Sequence, residues 1–267
     1  MSVLLFVFVL PIAYFLVISF WRVQSFKLRP DATLDQYRQV FTEFSGPLLF
    51  TLAIALVVAF VTVVIALGFA YFCRFQAGSW GSIFIFLVLV TLFGGYLTKI
   101  YMWKTILGSS GILNTALMEL GLIARPITAL LYSPIAVVIA LVHYTLPLAI
   151  LPIYGALRGV DDVPLEAARD LGAGGLRTFF DIVLPQTRTG IIAAFSLSFI
   201  FTAGDYVTPL MVGGPNASMI GVFIQNQFGN RLNSPLGSAL SFVVIFGSLV
   251  IIMAFASLVL AATRTPK

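Results

Sequence analysis

The chain has 267 residues, of which 60% are hydrophobic and 9% are charged, and its formal net charge is +5. A soluble domain carries about 25% charged residues, so this composition excludes a largely water-facing surface and indicates a protein that lies in a bilayer. The positive charges form no Lys/Arg block, which argues against a nucleic-acid site, and the single cysteine, Cys73, excludes an internal disulfide or a cysteine-based metal cluster.

Six apolar runs are candidates for transmembrane helices. Crossing a hydrocarbon core of roughly 30 Å takes about 20 apolar residues, and a helix satisfies its own backbone hydrogen bonds there. In chain order the runs cover residues 3–21, 48–73, 82–98, 132–155, 189–212 and 236–262. No basic segment or convincing cleavage site accompanies the first run, which is therefore predicted to be a retained span and not a signal peptide. The sequence predicts one all-α, polytopic membrane domain over residues 1–267, with six transmembrane helices.

The connections between these runs are more polar. A short helix is predicted at Thr33–Phe44, an amphipathic helix at the membrane interface within residues 99–126, and a partly inserted short helix at Met219–Phe228. Lys and Arg residues divide seven against eight between the two sides of a six-span topology, so the positive-inside rule gives no orientation.

The connection between the fourth and fifth runs, residues 161–188, is charged and rich in glycine. Asp161 or Asp162 is expected to cap a first helix, in which Leu165, Ala168 and Leu171 share one face. Gly172 then supplies the left-handed residue that ends this helix. A second helix is predicted from Leu176 to Val183, stopping at Pro185.

The spacing within this loop resembles the cytoplasmic loop of binding-protein-dependent ABC importer permeases. That family pattern is Glu-Ala-Ala, three residues, Gly, nine residues, Ile, one residue, Leu-Pro, and this chain matches every position. The predicted ATPase-coupling residues are Glu166, Ala167, Ala168, Leu171, Gly172, Ile182, Leu184 and Pro185. The alternative interpretation is an ordinary cytoplasmic connection with solvated charges, which the match in spacing disfavours.

The flanking segments "LPLAILPIYGALRGVD" and "FIFTAGDYVTPLMVGG" are similar to permeases of the spermidine/putrescine importer group. The resemblance implies a type I ABC importer permease fold in the bacterial inner membrane. It also implies that residues 161–185 are cytoplasmic coupling helices and that both termini are cytoplasmic. The implied partners are two ATPase subunits that use ATP and Mg, a second and similar permease subunit, a periplasmic solute-binding protein and membrane lipid. The implied solute is a polyamine or a related amine.

The sequence contains no chemistry of its own for ATP hydrolysis or other catalysis. No Gly-Lys pair occurs, so there is no phosphate-binding loop of the Walker type, and no cofactor or metal is expected on this chain. The segment ending in "TAGD" resembles an intramembrane aspartyl protease motif, but its first glycine and a second aspartate are missing. The chain is therefore predicted to be a transporter subunit and not an enzyme.

Asp205 is the only acid within any predicted span, and an ionisable group at that depth indicates a functional site. Tyr206 and Thr208 would add an aromatic face and a hydroxyl for a cationic solute, and His143 and Tyr144 are weaker candidates for the same pathway. In the alternative interpretation Asp205 caps a broken helix or pairs with a Lys or Arg, and His143 is a packing residue.

Two other functions stay open from the residues alone. An ATP-independent secondary transporter or channel would need an internal coupling-ion site and usually repeat symmetry, neither of which is evident in the sequence. An ABC permease for another solute, such as an amino acid, a phosphonate or a metal ion, would share the same loop.

Overall fold

The structure, a computed structural model, describes residues 2–24 and 27–263. These residues form α-helices joined by short loops, with one small β-hairpin near the N-terminus. The helices are α1 Ser2–Ile18, α2 Asp35–Glu43, α3 Ser45–Phe75, α4 Trp80–Val90, α5 Tyr96–Leu107, α6 Ile112–Glu119, α7 Pro134–Arg158, α8 Asp162–Asp170, α9 Gly175–Thr178, α10 Leu184–Ala203, α11 Ile220–Gly229 and α12 Ser234–Ala262. The predicted all-α class is confirmed.

The core lies where α3, α7 and α10 pack against one another. Fully buried alanines recur along α3 at positions 55, 59, 66 and 70, which is the spacing of one helix face. On α10, a Cβ added to Gly190 would lie 2.5 Å from the Pro152 carbonyl oxygen of α7. Small residues at such contacts let helix backbones approach closely, which is how helices associate where water provides no hydrophobic drive.

Three helices, α3, α7 and α12, are long and apolar enough to cross a membrane, and a fourth crossing is added if α4 and the helices after it count as one bent span. α1 has 17 residues, and α10 begins with the polar segment Leu184-Pro-Gln-Thr-Arg-Thr. The count of six spans therefore stays a prediction.

The predicted third span, residues 82–98, is wrong at its C-terminal end. α4 continues as a short 3-10 turn to Phe93, and α5 begins at Tyr96 after a bend of 97°. Gly94 and Gly95 both adopt extended ψ angles, 123° and 139°, which interrupt the helix. Glycine is a poor helix former because it loses the most backbone entropy on folding, so a Gly pair is a natural break.

The predicted fifth span, residues 189–212, is also interrupted. α10 ends at Ala203, and a separate turn of π-helix follows at Pro209–Gly213. Pro209 has no N–H to donate, and Asp205 caps the new turn, so α10 cannot run straight through this segment.

The second helix of the charged loop does not stop at Pro185. After α9, a π-helical turn at Phe179–Val183 leads directly into α10. In this turn the Leu184 N–H donates to the Phe179 carbonyl, five residues back. The wider turn relieves the clash that Pro185 would otherwise make with the preceding turn, so the proline lies inside a continuous helix.

The N-terminal hairpin was not predicted by the sequence. Its strands are β1 Arg22–Gln24 and β2 Lys27–Arg29, which pair in antiparallel register. The helices α2 and α11 confirm the short helices predicted at Thr33–Phe44 and Met219–Phe228 to within two residues at each end.

Candidate coupling loop and solute-contact cluster

The charged loop is fixed to the end of α3. Asp162 lies in the first turn of α8, and its Oδ1 accepts a hydrogen bond from Arg74 Nη2 at 3.0 Å. Asp161 is the N-cap residue, but its side chain forms no capping hydrogen bond. Asp161 therefore occupies the N-cap position through its backbone alone, whereas Asp162 links α8 to α3 through its salt bridge with Arg74.

Gly172 ends α8 as predicted. Its φ is +77°, the Gly172 N–H donates to the Arg169 carbonyl at 2.9 Å, and the Ala173 N–H donates to the Ala168 carbonyl at 2.9 Å. This pair of bonds is the Schellman motif, which satisfies the last carbonyls of a helix and requires a left-handed residue. A Cβ at Gly172 would meet no atom within 4 Å, so only the backbone conformation demands glycine here.

The predicted common face of α8 is wrong. Leu165 is 6% exposed and packs into the main core beside Val183 and Phe75, whereas Leu171 is 88% exposed. Residues six apart on a helix at about 100° per residue lie roughly 120° apart around its axis, and Leu171 follows the last residue of α8, so these two leucines do not share a face. Leu165 holds the loop against the helix bundle, and Leu171 projects away from it.

The motif residues separate in the same way. Glu166, Ala167, Leu171 and Gly172 are exposed and Ala168 is partly exposed, while Ile182, Leu184 and Pro185 are partly buried. Ile182 and Leu184 pack against the main core. One half of the motif thus anchors the loop, and the other half, Glu166 to Gly172, presents a surface that no described part of this chain covers.

Asp205 caps the turn that follows α10. Its Oδ1 accepts from the Val207 N–H at 3.0 Å and from the Tyr96 hydroxyl at 2.6 Å, and its Oδ2 accepts from the Thr208 N–H at 3.2 Å. The side chain is nearly buried. The helix-cap interpretation therefore describes the geometry, and the carboxylate also belongs to a larger group of side chains.

That group joins α5, α7 and the turn after α10. The Tyr96 hydroxyl lies 2.7 Å from Thr208 Oγ1, and the Tyr96 ring centroid lies 4.5 Å from that of Tyr144. Lys99, one turn further along α5, places its Nζ 5.6 Å from the centre of the Tyr144 ring. We call Tyr96, Lys99, Tyr144, Asp205 and Thr208 the Asp205 cluster. Sequence reasoning missed Tyr96 and Lys99, because neither stands near Asp205 in the chain.

The other two pathway candidates lie beside or away from this cluster. The His143 ring packs edge-on against Trp103 with centroids 5.8 Å apart, and its Nδ1 has no hydrogen-bond partner among the described residues. Tyr206 is half-exposed and lines a separate cavity of about 360 Å³ together with Gly221, Gln225 and Ser241. The structure therefore groups Asp205, Thr208 and Tyr144, and it leaves Tyr206 out.

The whole chain shares its fold with a solved transporter. The crystal structure of a bacterial alginate ABC transporter in complex with alginate pentasaccharide-bound periplasmic protein contains a chain with a TM-score of 0.73 and 13% identity; the match covers 100% of this chain and 93% of that chain. At 13% identity this likeness establishes a shared fold.

Curated relatives fix the family, although no family model matches the chain. The spermidine/putrescine transport system permease protein PotB of Haemophilus influenzae is 34% identical over 78% of this chain and 73% of the relative. PotB of Escherichia coli strain K12 is 35% identical over 81% of this chain and 82% of the relative. The chain belongs to the ABC importer permease family that includes these PotB proteins. It is a multi-pass membrane permease subunit, a transport component and not an enzyme.

Proposed function

We propose that this chain forms part of the translocation pathway for a polyamine, spermidine or putrescine, in the bacterial inner membrane. The observation that carries the proposal is the Glu166–Gly172 surface, which is exposed, anchored through Leu165 and matched to the coupling motif. Similarity to the PotB proteins, whose names specify spermidine and putrescine, supports the choice of solute.

The coupling loop binds a separate ATPase in this proposal. Two ATPase subunits, which hold ATP and Mg, close on the loops of this chain and of a second, similar permease subunit. The closure opens the pathway toward a periplasmic solute-binding protein, and hydrolysis restores the inward-open state. Residues 161–185 and both chain termini then lie on the cytoplasmic side, and this chain itself binds no nucleotide.

The Asp205 cluster supports a cationic solute. It combines one carboxylate with the faces of Tyr96 and Tyr144, and tyrosine rings attract ammonium groups through their quadrupole. Thr208 adds a hydroxyl. Asp205, Thr208 and Tyr144 are the proposed solute contacts; His143 and Tyr206, which lie outside the cluster, would line other parts of the route.

The test is ATP-dependent uptake by the complete transporter in proteoliposomes with its binding protein. We expect uptake of radiolabelled spermidine that stops when ATP is omitted. Glu166→Lys should release the ATPase during purification, whereas Glu166→Gln, which keeps the side-chain shape, should retain more of it. Uptake that persists without the ATPase would favour an ATP-independent transporter. Uptake of an amino acid, a phosphonate or a metal ion in place of spermidine would assign another solute.

A further inference from the structure

We propose that Lys99 is a tethered competitor of the solute, occupying the aromatic face of Tyr144 that a solute ammonium would use and so keeping the affinity of the Asp205 cluster low. This inference rests on the proposed transport of a cationic amine. It assigns to Lys99 a role in setting solute affinity that is distinct from coupling to the ATPase.

Lys99 is a buried cation with an aromatic partner. The residue is 6% exposed, and its Nζ lies 5.6 Å from the Tyr144 ring centre. Within residues 2–24 and 27–263 it forms no salt bridge. Burying a charged group in a membrane protein is unfavourable, and attraction to a tyrosine face offsets part of that cost. The ammonium is therefore held by the same kind of contact that would attract an amine solute.

The position of Lys99 puts it in direct competition with such a solute. Tyr96 and Lys99 are three residues apart on α5, and such residues lie on the same side of a helix. Tyr96 donates to Asp205, and its ring lies against that of Tyr144. Lys99 thus lies at the ring of Tyr144 while Asp205 accepts from the hydroxyl of Tyr96, and Lys99 and Asp205 form no ion pair with each other.

The chemistry of the two ammonium groups is also alike. A lysine side chain ends in a primary ammonium on a flexible four-carbon stem, which is the same group that ends an aliphatic polyamine. A solute ammonium that binds the Tyr144 face has to displace Lys99 or remain beside its positive charge. Either event weakens binding, and weak binding in the pathway favours onward release of the solute.

The chain offers a matched control on the same helix. Lys104 places its Nζ 6.0 Å from the Tyr132 ring centre, so it makes a similar contact with a tyrosine that is not in the Asp205 cluster. Lys104→Met removes the same charge from α5 as Lys99→Met does. A difference in Kd between these two variants would therefore come from the place at which the positive charge is removed, because both variants lose the same charge.

The experiment measures equilibrium binding of radiolabelled spermidine to the complete transporter in nanodiscs, without the solute-binding protein. Lys99→Met should lower the Kd for spermidine about tenfold, which is the order of magnitude expected from losing one cation that competes for a desolvated aromatic face. Lys99→Arg should stay near the wild-type Kd because it keeps a cation on the ring, and Lys104→Met should stay within about twofold. A gain in affinity is not a result that misfolding produces.

A second variant tests the route of the effect. In a Tyr144→Leu background, Lys99→Met should tighten binding by less than about threefold, because the shared aromatic face is gone. If Lys99→Met does not purify as a folded complex, Lys99→Gln serves in its place. An unchanged or weaker Kd in a folded Lys99 variant, with spermidine uptake intact in the wild type, would overturn the role of Lys99 alone. A wild-type transporter that neither binds nor imports spermidine would overturn the proposed function as well.

Discussion

Asp205 combines two tasks in one carboxylate. It accepts two backbone N–H groups at the start of a turn and the Tyr96 hydroxyl from α5. Capping satisfies donors that would otherwise be buried without partners, and in the proposed function the negative charge also attracts a solute ammonium. The two tasks can be separated in part, because asparagine carries no charge but keeps one acceptor oxygen for the Val207 N–H and the Tyr96 hydroxyl, and loses only the bond from the Thr208 N–H.

Substitution of Asp205 separates capping from attraction of the solute. Asp205→Asn loses the bond from the Thr208 N–H, so it should cost less thermal stability than Asp205→Ala while reducing spermidine uptake at limiting solute. Asp205→Ala removes the cap as well, so it should destabilise the protein by about 0.5–2 kcal/mol. Thermal unfolding and initial uptake rates measure both effects. Equal uptake by wild type and Asp205→Asn would leave Asp205 with a purely structural role.

At Gly172 the backbone is the constraint. Gly172→Val places a β-branched side chain at φ +77°, a conformation that such residues rarely adopt, and it should weaken co-purification of the ATPase by distorting the end of α8. Gly172→Asn is the matched control, because asparagine tolerates the left-handed region. We expect it to retain most of the ATPase. Loss of the ATPase in both variants would show that the partner needs the space beside Gly172, contrary to the backbone explanation.

At the level of elements, the coupling loop has an inner and an outer side. Leu165 and the Arg74–Asp162 pair hold α8 against the end of α3, while Leu171 points outward. The salt bridge is partly exposed, and such pairs contribute at most about 1 kcal/mol. Burial of Leu165 is therefore the main anchor of α8, and Leu171 is an apolar side chain free to be covered by another protein.

Truncating each leucine should affect a different property. Leu165→Ala removes a buried side chain, at a cost of roughly 2 kcal/mol or more, and should make the loop more sensitive to trypsin at Arg169 and Arg177. Leu171→Ala should leave that protection unchanged and reduce co-purification of the ATPase. The two measurements use the same purified permease preparations. If Leu171→Ala exposed the loop to trypsin, or Leu165→Ala left it protected, the assignment of the two sides would be incorrect.

Local signals in the sequence predicted most helices, and the errors occur where two local signals compete. Gly172 marked the end of α8 correctly because only its own backbone conformation was in question. Pro185 predicts a helix end, but the π-helical turn at Phe179–Val183 accommodates its ring and the helix continues. The apolar run at residues 82–98 predicts one continuous helix, but the chain bends at Gly94–Gly95. Hydropathy does not report the direction of the backbone, so it gives no sign of this bend.

The Asp205 cluster was only partly predictable. Asp205 and Thr208 stand out as an isolated acid and a nearby hydroxyl, but Tyr96 is 109 residues away from Asp205 in the chain. Tyr96 and Lys99 lie in a segment whose mixed polarity indicated an interfacial helix. Only the 97° bend after α4 turns that segment so that both side chains reach α7 and the end of α10.

At the scale of the whole molecule, the distribution of Lys and Arg residues does not decide which side of the permease faces the cytoplasm. The Lys and Arg residues divide almost evenly between the two sides of a six-span topology. The packing of α3, α7 and α10 fixes the coupling loop and the Asp205 cluster at opposite ends of α10. If the loop meets a cytoplasmic ATPase, the Asp205 cluster lies toward the periplasm, where solute arrives.

Labelling of single cysteines in intact cells tests this orientation. Cys73 is the one cysteine in the sequence, so Cys73→Ser gives a background without thiols. Exposed positions are then replaced one at a time: Leu176→Cys should react only after permeabilisation, whereas Leu34→Cys and Leu122→Cys should react with an impermeant maleimide from outside. External labelling at position 176 would reverse the topology. Internal labelling at position 34 would contradict a crossing by α1.

The helical path from Gly175 through the π-helical turn to Ala203 is continuous, about 40 Å along its axis at a rise of about 1.5 Å per residue, and it joins the coupling loop to the segment that carries Asp205. We expect this continuous helix to move as one body, so that a displacement of the coupling loop is accompanied by a displacement of the Asp205 segment. Spin labels at Arg177 and Phe201 should keep a single separation in every nucleotide state. A separation that changed with ATP would locate a hinge at Phe179–Val183. Movement of the coupling loop would then bend the helix at this hinge and would not displace the Asp205 segment by the same amount.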